Sequence, residues 1–563
     1  HFDLATKYLD LAEARHRELV EEGTSSWVEK QGLLVRGYRS EIDRSYQPFG
    51  LEIPESLDLT KPVPLLVWLH GRGDKITDLH FLERCATKSQ AFGGFVSEQE
   101  DAIILHPFGR HCVGWKHAGE IDVFEAIQAV QRDYPIDPDR IALAGFSMGG
   151  AGAWHIGAHY RDHFCAVHAG AGFAETKEYL RLEPVDYPVD YEQTLWKVYD
   201  VPNYAMNLLN GPLLAYSGGE DKQKQAADLM ARVLSEAYGH ELRHVIGDGM
   251  GHKYNEESVA EIWDWLQQAW KRGRKLSSDP IQWETPTLRY PGYGAFRMKG
   301  LVEHWRGAEA QVSREEGSNR WKLKLDGVSA FQLSDAELAG AELVFDDGQR
   351  ITVADPGFPI GSVSLVWKKD RWQFGEPGAI SKRPGLQGPI DDAFLSRFIV
   401  VPPSEEPAQP KMARWVDFEL AHFRSRWRAL MRGEYLERVS EELDSGDLDE
   451  ANLILWGDPE SNPMLAEIVD RLPIEWEEGS FTFRGKRYSA EDKVPVFIFP
   501  NPINPRRYVV INSGLTFREN HDRTNSLQNP KLPDWAVVDL TQLPDGEAPG
   551  KIEASGFFDE NWQ

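Results

Sequence analysis

The spacing of hydrophobic and polar positions in the first half of the chain predicts strands and helices that alternate. Short apolar runs, of which residues 64–69 and 141–144 are the clearest, are typical of buried strands. Several segments between them carry apolar residues at the spacing of an amphipathic helix. The predicted strands cover residues 33–38, 47–53, 64–69, 102–105, 141–144, 212–217 and 241–246, and the predicted helices cover residues 4–20, 122–133, 149–159, 224–238 and 258–270. Because such alternation is typical of βαβ units, we expect an α/β fold with a mostly parallel sheet.

The pattern changes after about residue 275 and again near residue 388. Short alternating stretches with polar or glycine-containing turns come first, which favours a small antiparallel sandwich. Strands and helices then alternate once more, and from about residue 520 the polar chain is expected to wrap around the body. We therefore predict three domains: an α/β domain with a leading helix over residues 1–275, a β-rich sandwich-like domain over residues 276–385, and a smaller α/β domain with a C-terminal extension over residues 386–563.

Composition and charge exclude several classes of protein. With 563 residues, 41% of them hydrophobic and 19 of them tryptophan, the chain has enough apolar material for several cores and does not resemble a disordered protein. The net charge of −27, from 62 basic and 89 acidic residues, repels a phosphate backbone, so we expect no nucleic-acid partner. No apolar run approaches the roughly 18 residues of a membrane-spanning helix.

Cysteine content and the first residues bear on the compartment. Three cysteines are too few and too far apart for a disulfide framework or a zinc knuckle, and the odd number leaves at least one unpaired. The chain opens at His1, without an initiator methionine or the features of a signal peptide. We therefore expect that a targeting segment has been removed and that the protein is secreted or periplasmic, with a cytoplasmic location as the alternative.

The strongest chemical signal is the sequence Gly-Phe-Ser-Met-Gly-Gly at residues 145–150. It lies directly between a predicted strand and a predicted helix, which is the context of a nucleophile elbow. In such an elbow the serine occupies a strained turn and points over the sheet edge, and this requires small residues on both sides. Gly145 and Gly149 meet the requirement, so Ser147 is the predicted nucleophile.

A serine hydroxyl needs a base that takes its proton and a carboxylate that orients this base. His252 has the expected position for the base, in a glycine-rich loop after the last predicted strand. Asp221 has the expected position for the carboxylate, shortly after the predicted strand at residues 212–217. Glu220 and Asp248 are the competing candidates. We predict that Ser147, Asp221 and His252 form a catalytic triad.

Acyl transfer also requires hydrogen-bond donors for the developing oxyanion. These come from the backbone directly after the nucleophile and from the turn after an early strand. The corresponding groups here are the N–H of Met148 and the N–H of Arg72 or Gly73. We predict that they form the oxyanion hole.

These residues together resemble the α/β-hydrolase superfamily, and within it the esterase and prolyl-oligopeptidase-like branch that includes feruloyl esterases, acetyl xylan esterases and polyhydroxybutyrate depolymerases. The resemblance spans roughly residues 30–270 and is carried by residues 69–71, 137–141, 145–150, 218–221 and 251–252. It implies an α/β-hydrolase fold, with helices on both faces of the mostly parallel sheet. It also implies a triad of Ser147, Asp221 and His252 and hydrolysis without a cofactor. The two later domains match no family pattern.

Two further features concern the surroundings of the nucleophile. The segment 111–117 follows a predicted strand and is expected at the same sheet edge as Ser147, so Trp115 is the candidate for a substrate-binding wall, with simple cover of the rim as the alternative. His106, His111 and His117 lie near one another in sequence, but there is no His-Glu-x-x-His pattern and their spacing suits no helical ligand pair. We therefore predict no metal site.

Three hypotheses for the function follow. The first is a serine carboxylesterase that forms an acyl-enzyme and acts on a small-molecule or polysaccharide-linked ester. The second is a serine peptidase of the prolyl-oligopeptidase type, which uses the same triad. The third is a non-catalytic carbohydrate-binding or scaffold protein in which tryptophans of the later domains form a sugar platform, with positions in the core as the alternative for these rings. The tryptophans concerned are Trp283, Trp305, Trp321 and Trp367.

Overall fold

The computed structural model describes residues 2–23, 25–73, 77–95, 101–274, 276, 280–357 and 360–563. Residue 275, the predicted end of the first domain, lies outside these ranges. The described residues form an eight-stranded sheet, then two five-stranded sheets, and finally a seven-stranded and a three-stranded sheet. Within these ranges no helix is both long enough and apolar enough to cross a membrane.

The eight-stranded sheet has the strand order β1-β2-β4-β3-β5-β6-β7-β8. Its strands are β1 Gly32–Arg39, β2 Tyr46–Ile53, β3 Val63–Leu69, β4 Ile103–Pro107, β5 Ile136–Phe146, β6 Ala166–Gly170, β7 Leu213–Gly218 and β8 Arg243–Gly247. The helices of this part are α1 Phe2–Arg17, α2 Asp78–Thr87, α3 Ala118–Asp133, α4 Met148–His159, α5 Lys177–Leu180, α6 Asp190–Trp196, α7 Lys224–Tyr238 and α8 Glu256–Arg272. The pairs β1/β2 and β2/β4 are antiparallel and the other neighbours are parallel, which confirms the predicted sheet. We call residues 32–272 the N-terminal unit.

Helices cover both faces of this sheet, as the packing on the two faces of strand β3 illustrates. Leu65, Val67 and Leu69 belong to a hydrophobic cluster that includes residues of α3, α4 and α7. Leu66 and Trp68 belong to a second cluster that includes residues of α8. All residues of β3 are therefore buried, which explains why its sequence is a continuous apolar run and not an alternating one.

Residues 281–374, which we call the β unit, form the two five-stranded sheets. Their orders are β10-β11-β14-β17-β18 and β16-β15-β13-β12-β9. The strands are β9 Ile281–Thr285, β10 Gly292–Tyr293, β11 Phe296–Leu301, β12 Ala308–Arg314, β13 Arg320–Asp326, β14 Val328–Ser334, β15 Glu342–Phe345, β16 Arg350–Thr352, β17 Ser362–Trp367 and β18 Trp372–Phe374. Phe331 of one sheet lies 6.3 Å from Phe345 of the other between ring centroids. Aromatic side chains thus fill the space between two sheets, as expected for a sandwich-like unit.

The four tryptophans considered for a sugar platform do not form one. Trp283, Trp305 and Trp321 are at most 7% exposed, and Trp367, at 36%, is the exposed member of the set. The indole N–H of Trp283 donates to the carbonyl of Tyr290 at 3.0 Å, which satisfies it inside the core. The platform hypothesis is therefore wrong for three of the four rings, and they occupy the core.

Residues 398–556, which we call the C-terminal unit, contain the seven-stranded sheet of order β20-β19-β21-β26-β25-β27-β28 and the three-stranded sheet β22-β23-β24. The strands are β19 Phe398–Val401, β20 Leu436–Glu437, β21 Asn452–Leu455, β22 Ile474–Glu477, β23 Ser480–Phe483, β24 Lys486–Ser489, β25 Lys493–Pro500, β26 Tyr508–Ile511, β27 Trp535–Asp539 and β28 Lys551–Gly556, and the helices are α9 Pro410–Leu430, α10 Ser445–Glu450 and α11 Pro463–Ile468. The expectation that the chain after residue 520 merely wraps the body is wrong, because β27 and β28 extend the seven-stranded sheet. Their short apolar stretches pair with β25 and with each other.

The β unit continues the core of the N-terminal unit. One hydrophobic cluster contains residues of both, Leu143 and Trp283 among them. At the junction the amide of Asn207 accepts from the N–H of Glu284 at 2.7 Å and donates to the carbonyl of the same residue at 3.0 Å. This pair of bonds fixes strand β9 against the N-terminal unit.

Candidate active site

Ser147, His252 and Asp221 come from three segments far apart in sequence, and hydrogen bonds connect their side chains. Nε2 of His252 is 2.8 Å from Oγ of Ser147, and Nδ1 of His252 is 2.7 Å from Oδ2 of Asp221. Both are hydrogen-bond distances. The ring of Phe146 packs 4.8 Å from the imidazole, measured between centroids, and supports it. The structure thus brings the three predicted residues together as hydroxyl, imidazole and carboxylate.

Ser147 occupies a strained turn between β5 and α4. Its φ of 61° and ψ of −120° lie in a region that residues with a side chain seldom adopt. A Cβ at Gly145 would lie 2.2 Å from the carbonyl oxygen of Gly149, and one at Gly149 would lie 1.9 Å from that of Leu69. Neither position tolerates a side chain, which is why the sequence around the serine carries glycine there.

Backbone hydrogen bonds join the loop that carries Asp221 to the loop that carries His252. The N–H of Gly219 donates to the carbonyl of Gly247 at 2.8 Å, and the N–H of Glu220 donates to the carbonyl of Met250 at 2.9 Å. The two loops are therefore one structural element, although they lie some thirty residues apart in sequence. This explains how two loop side chains keep a common alignment.

The carboxylate of Asp221 is buried, and its two oxygens have different partners. The side chain is 4% exposed, whereas that of His252 is 38% exposed. Oδ1 accepts from the N–H of Gln223 at 2.9 Å, and Oδ2 faces the imidazole. A carboxylate in this position favours the tautomer with a proton on Nδ1, so that Nε2 is free to accept from the serine. The competitors Glu220 and Asp248 are exposed.

The predicted oxyanion donors belong to segments next to the nucleophile. Met148 is the first residue of α4, so its N–H belongs to the positive end of the helix dipole. A Cβ at Gly71 would lie 3.5 Å from Cβ of Ser147, which places the turn that contains Arg72 and Gly73 against the serine. The assignment of these three N–H groups as oxyanion donors stays a prediction.

Trp115 does not line the site, and its prediction as a substrate-binding residue is wrong. The side chain is 1% exposed. Its indole N–H donates to the carbonyl of His70 at 3.3 Å, and the two rings lie 4.8 Å apart between centroids. Trp115 therefore lies under the turn that follows β3 and supports it. Burial lowers the pKa of His70, whose ring also meets the carbonyl of Phe108 at 3.0 Å.

The C-terminal unit covers the segment that was expected to wall the site. Nζ of Lys116 donates to the carbonyl of Asn525 at 3.1 Å and to Oδ1 of Asn529 at 2.7 Å. The amide of Asn525 donates to the carbonyl of Cys112 at 3.0 Å. Residues 111–117 thus form part of an interface between the N-terminal and C-terminal units.

The C-terminal unit also contacts the turn at residues 71–73, which we call the oxyanion turn after the role predicted for its N–H groups. The guanidinium of Arg72 donates to the carbonyls of Asp522 and Arg523 at 3.0 and 3.1 Å. The sequence contains no signal for this contact, because its partners are 450 positions apart and carbonyl acceptors carry no sequence signature. We call residues 522–529 the cover segment.

One group of side chains among the described residues has the spacing of metal ligands. It consists of Glu120, His155 and His159, all buried. The histidines singled out from the sequence lie elsewhere: His106 faces Glu52 at 2.7 Å, and His117 faces the carbonyl of Gln528 at 3.0 Å. The available signal was the pair His155 and His159, four residues apart on a predicted helix.

Comparison with known proteins gives one family and several distant structures. Residues 113–273, which include the whole triad, match the prolyl oligopeptidase family. No curated protein matches the chain. Similar solved structures include a putative dipeptidyl aminopeptidase IV from Bacteroides ovatus (14% identity, TM-score 0.34), an S-formylglutathione hydrolase from Agrobacterium tumefaciens (18%, 0.34) and a ferulic acid esterase (20%, 0.33). These likenesses cover 42–43% of this chain and 36%, 95% and 98% of the respective structures.

Proposed function

We propose that this chain is a serine hydrolase whose N-terminal unit, an α/β-hydrolase fold, cleaves carboxylic esters through an acyl-enzyme on Ser147. The observation that carries the proposal is the continuous hydrogen-bonded line from Asp221 through His252 to Ser147, at a strained turn. A serine held in this way is activated only when a base accepts its proton during attack, which is the chemistry of acyl transfer.

In the proposed reaction, Oγ of Ser147 attacks the ester carbonyl while Nε2 of His252 takes its proton. The carboxylate of Asp221 stabilises the imidazolium that forms. The N–H of Met148 and the N–H groups of the turn at Arg72 and Gly73 bind the carbonyl oxygen as it becomes negative. His252 then protonates the leaving alcohol, and water, activated by the same imidazole, releases the acid and restores the serine.

The preference for an ester over a peptide rests on the charge beside the nucleophile. The guanidinium of Arg72 lies at the turn that contacts Ser147, and a positive charge there disfavours the ammonium group of a peptide substrate. The proposed substrate is a carboxylic ester that is either free or attached to a polysaccharide.

A serine peptidase is the second candidate, and the family match favours it. The matched residues 113–273 contain all three triad positions. The triad chemistry is the same for both functions, and the difference lies in the leaving group, an alcohol or an amine.

Labelling with a fluorophosphonate tests the nucleophile. The phosphonate is expected on the peptide that contains Ser147, and Ser147→Ala is expected to abolish both labelling and the hydrolysis of p-nitrophenyl acetate. Ser404→Ala, at an exposed serine far along the chain, serves as the matched control and keeps both. Thermal unfolding of each variant tests whether the fold is retained. Undiminished hydrolysis by a folded Ser147→Ala protein would refute the proposal.

A substrate panel separates the two candidate functions. Aryl and alkyl esters are compared with aminoacyl and prolyl anilides at equal concentration, and kcat/KM is measured for each. We expect values for esters that exceed those for anilides of matching acyl group by more than about a hundredfold, or about 2.7 kcal/mol in transition-state free energy. Anilide turnover equal to ester turnover would establish the peptidase instead.

A further inference from the structure

We propose that Glu120, His155 and His159 bind a divalent transition-metal ion, with zinc as the best fit, between helices α3 and α4. His155 and His159 lie four residues apart, so both face the same side of α4. Glu120 comes from the first turn of α3. The three side chains are at most 2% exposed, and their ligand atoms all lie within 4.8 Å of one another.

The distances suit a metal better than direct hydrogen bonds. Nδ1 of His155 and Nδ1 of His159 lie 3.8 and 3.6 Å from the same carboxylate oxygen, Oε2 of Glu120. These separations are too long for good hydrogen bonds. Two ligands of a tetrahedral zinc ion with bonds of roughly 2.0–2.1 Å are about 3.3 Å apart, so a bound ion would draw these atoms, which lie within 4.8 Å of one another, closer together.

The hydrogen bonds around the cluster leave the inward-facing atoms without partners. Nε2 of His155 meets the carbonyl of Gly114 at 3.3 Å, so its proton belongs on Nε2 and the lone pair on Nδ1 points toward Glu120. Nδ1 of His155 and both ring nitrogens of His159 have no hydrogen-bond partner and are buried. A lone pair aimed at a carboxylate is unfavourable unless a cation lies between them.

The two oxygens of Glu120 are divided between different tasks. Oε1 accepts from the hydroxyl of Tyr160 at 2.7 Å and from the guanidinium of Arg289 at 3.1 Å. Oε2 faces the two imidazoles and accepts from the hydroxyl of Tyr290 at 3.1 Å. Outer hydrogen bonds of this kind orient ligating carboxylates in metal sites. The Tyr290 oxygen is a further oxygen donor close to Oε2.

The charge of Arg289 does not prevent a cation from binding. Its guanidinium is shared between Glu120, at 3.1 Å, and Asp392, at 3.5 Å, so these three groups carry a net charge of −1. The other nearby cation, Lys116, is bonded to the oxygens of Asn525 and Asn529. Neutral imidazole and carboxylate ligands are those that zinc takes from proteins.

The ion would act as a structural link. Helix α4 carries the strained turn of Ser147 at its start and the two histidines in its second half. A metal that joins this helix to α3 would hold the nucleophile turn against the sheet, and its buried ligands mean that it enters while the chain folds.

Metal analysis of the full chain tests the site. Protein produced in zinc-supplemented medium and dialysed exhaustively is expected to contain about one equivalent of zinc, as measured by inductively coupled plasma mass spectrometry. In His155→Gln the longer amide retains a donor toward the Gly114 carbonyl but lacks the Nδ1 ligand, and its metal content is expected to fall at least tenfold. His117→Gln is the matched control, because His117 is also buried and its Nε2 also meets a backbone carbonyl, and it should keep the zinc.

Spectroscopy covers the case in which His155→Gln fails to fold. X-ray absorption of the wild-type protein is expected to show zinc with nitrogen and oxygen neighbours at roughly 2.0–2.1 Å and no sulfur, and cobalt substitution is expected to give the visible bands of a tetrahedral ion. Wild-type protein without bound metal, full zinc content in folded His155→Gln, or a sulfur-containing shell would each overturn the proposal.

Discussion

In the proposed reaction Asp221 orients the catalytic base, and its replacement should separate the effect of geometry from that of charge. In Asp221→Asn the side chain has nearly the same shape. If its NH₂ group faces His252, it cannot accept a hydrogen bond from Nδ1. If its carbonyl oxygen faces His252, the hydrogen bond is kept but the negative charge that stabilises the imidazolium is lost. We expect kcat for p-nitrophenyl acetate to fall about 10⁴-fold at pH 7 while thermal stability changes little. Steady-state kinetics together with a thermal melt would check both parts.

The neighbouring carboxylates are the controls for this prediction. Glu220→Gln and Asp248→Asn alter exposed acidic residues on the same two loops. We expect kcat within about twofold of wild type for both. A large loss in either variant, with Asp221→Asn nearly as active as wild type, would show that the third triad member has been misassigned.

The triad residues were predictable because each follows from chain order and local context. Ser147 is identified by the small residues that its turn requires, and His252 and Asp221 by their positions after later strands. Trp115 was not predictable in the same way. Its place after β4 is correct, but the direction of its ring depends on its packing against His70, Gly109 and Gly152, which come from three different segments. Local sequence does not contain that information.

At the scale of elements, the contact between the oxyanion turn and the cover segment predicts that Arg72 is a positioning residue. Arg72→Met removes both hydrogen bonds to the cover segment while it keeps the backbone N–H at this position. We expect kcat to fall about tenfold or more, since displacement of an oxyanion donor by a fraction of an ångström weakens transition-state binding, and KM to change less than threefold.

Arg72→Lys and Arg523→Ala complete this test. Lysine can donate to one of the two carbonyls and should restore part of kcat, whereas Arg523 offers its backbone carbonyl to Arg72, so that removal of its exposed side chain should have little effect. An equal loss of kcat in Arg523→Ala would indicate that the side chains of the cover segment, and not its backbone, act on the turn.

Some elements escaped prediction for identifiable reasons. Strand β6, Ala166–Gly170, consists mainly of small residues and a histidine, so its apolar signal is weak, although it is fully buried between β5 and β7. Strands β27 and β28 lie in a polar context, and β28 has no fully buried residue. In contrast, α7 is amphipathic and ends at Gly239 with a positive φ, and its predicted bounds match the structure. Elements with their own pattern are predictable, and those stabilised by neighbours are not.

At the scale of the molecule, the shared core predicts that residues 1–275 do not fold alone. A chain that ends there lacks strand β9 and leaves the amide groups of Asn207 and the apolar face beneath it exposed. We expect this fragment to be insoluble or to unfold well below the full chain, since an uncovered hydrophobic surface favours aggregation. Expression, size-exclusion chromatography and a thermal melt of both proteins would check it. A soluble monomeric fragment as stable as the full chain would contradict the prediction.

We expect the buried carboxyl group of Asp391, which lies just before the C-terminal unit, to make the free energy of unfolding depend on pH. Asp391 accepts hydrogen bonds from the N–H and hydroxyl of Thr516, and burial raises its pKa to about 7, although Arg289 opposes the shift. The folded state therefore holds this proton more tightly than the unfolded chain, in which the pKa is about 3.9. The contribution of Asp391 to stability is largest below about pH 4 and decreases as pH rises through about 7.

Asp391→Asn removes this titration. We expect the free energy of unfolding of the variant, measured by urea denaturation, to increase relative to that of wild type between pH 5 and pH 8, because only wild type loses stability over this range. Asp417→Asn, at an exposed aspartate, provides the reference with an unchanged profile. Parallel profiles for Asp391→Asn and wild type would show that this carboxyl group does not titrate in that range.

The distance in sequence between Arg72 and its partners has a consequence for synthesis on the ribosome. The three reacting side chains have emerged once residue 252 has left the exit tunnel, but the turn that binds the oxyanion gains its anchor only when residues 522 and 523 follow. Some 270 further residues must be translated in that interval. Within this interval a nascent chain gains strand β9 and the rest of the shared core first, and the anchor of the turn at Arg72 comes later.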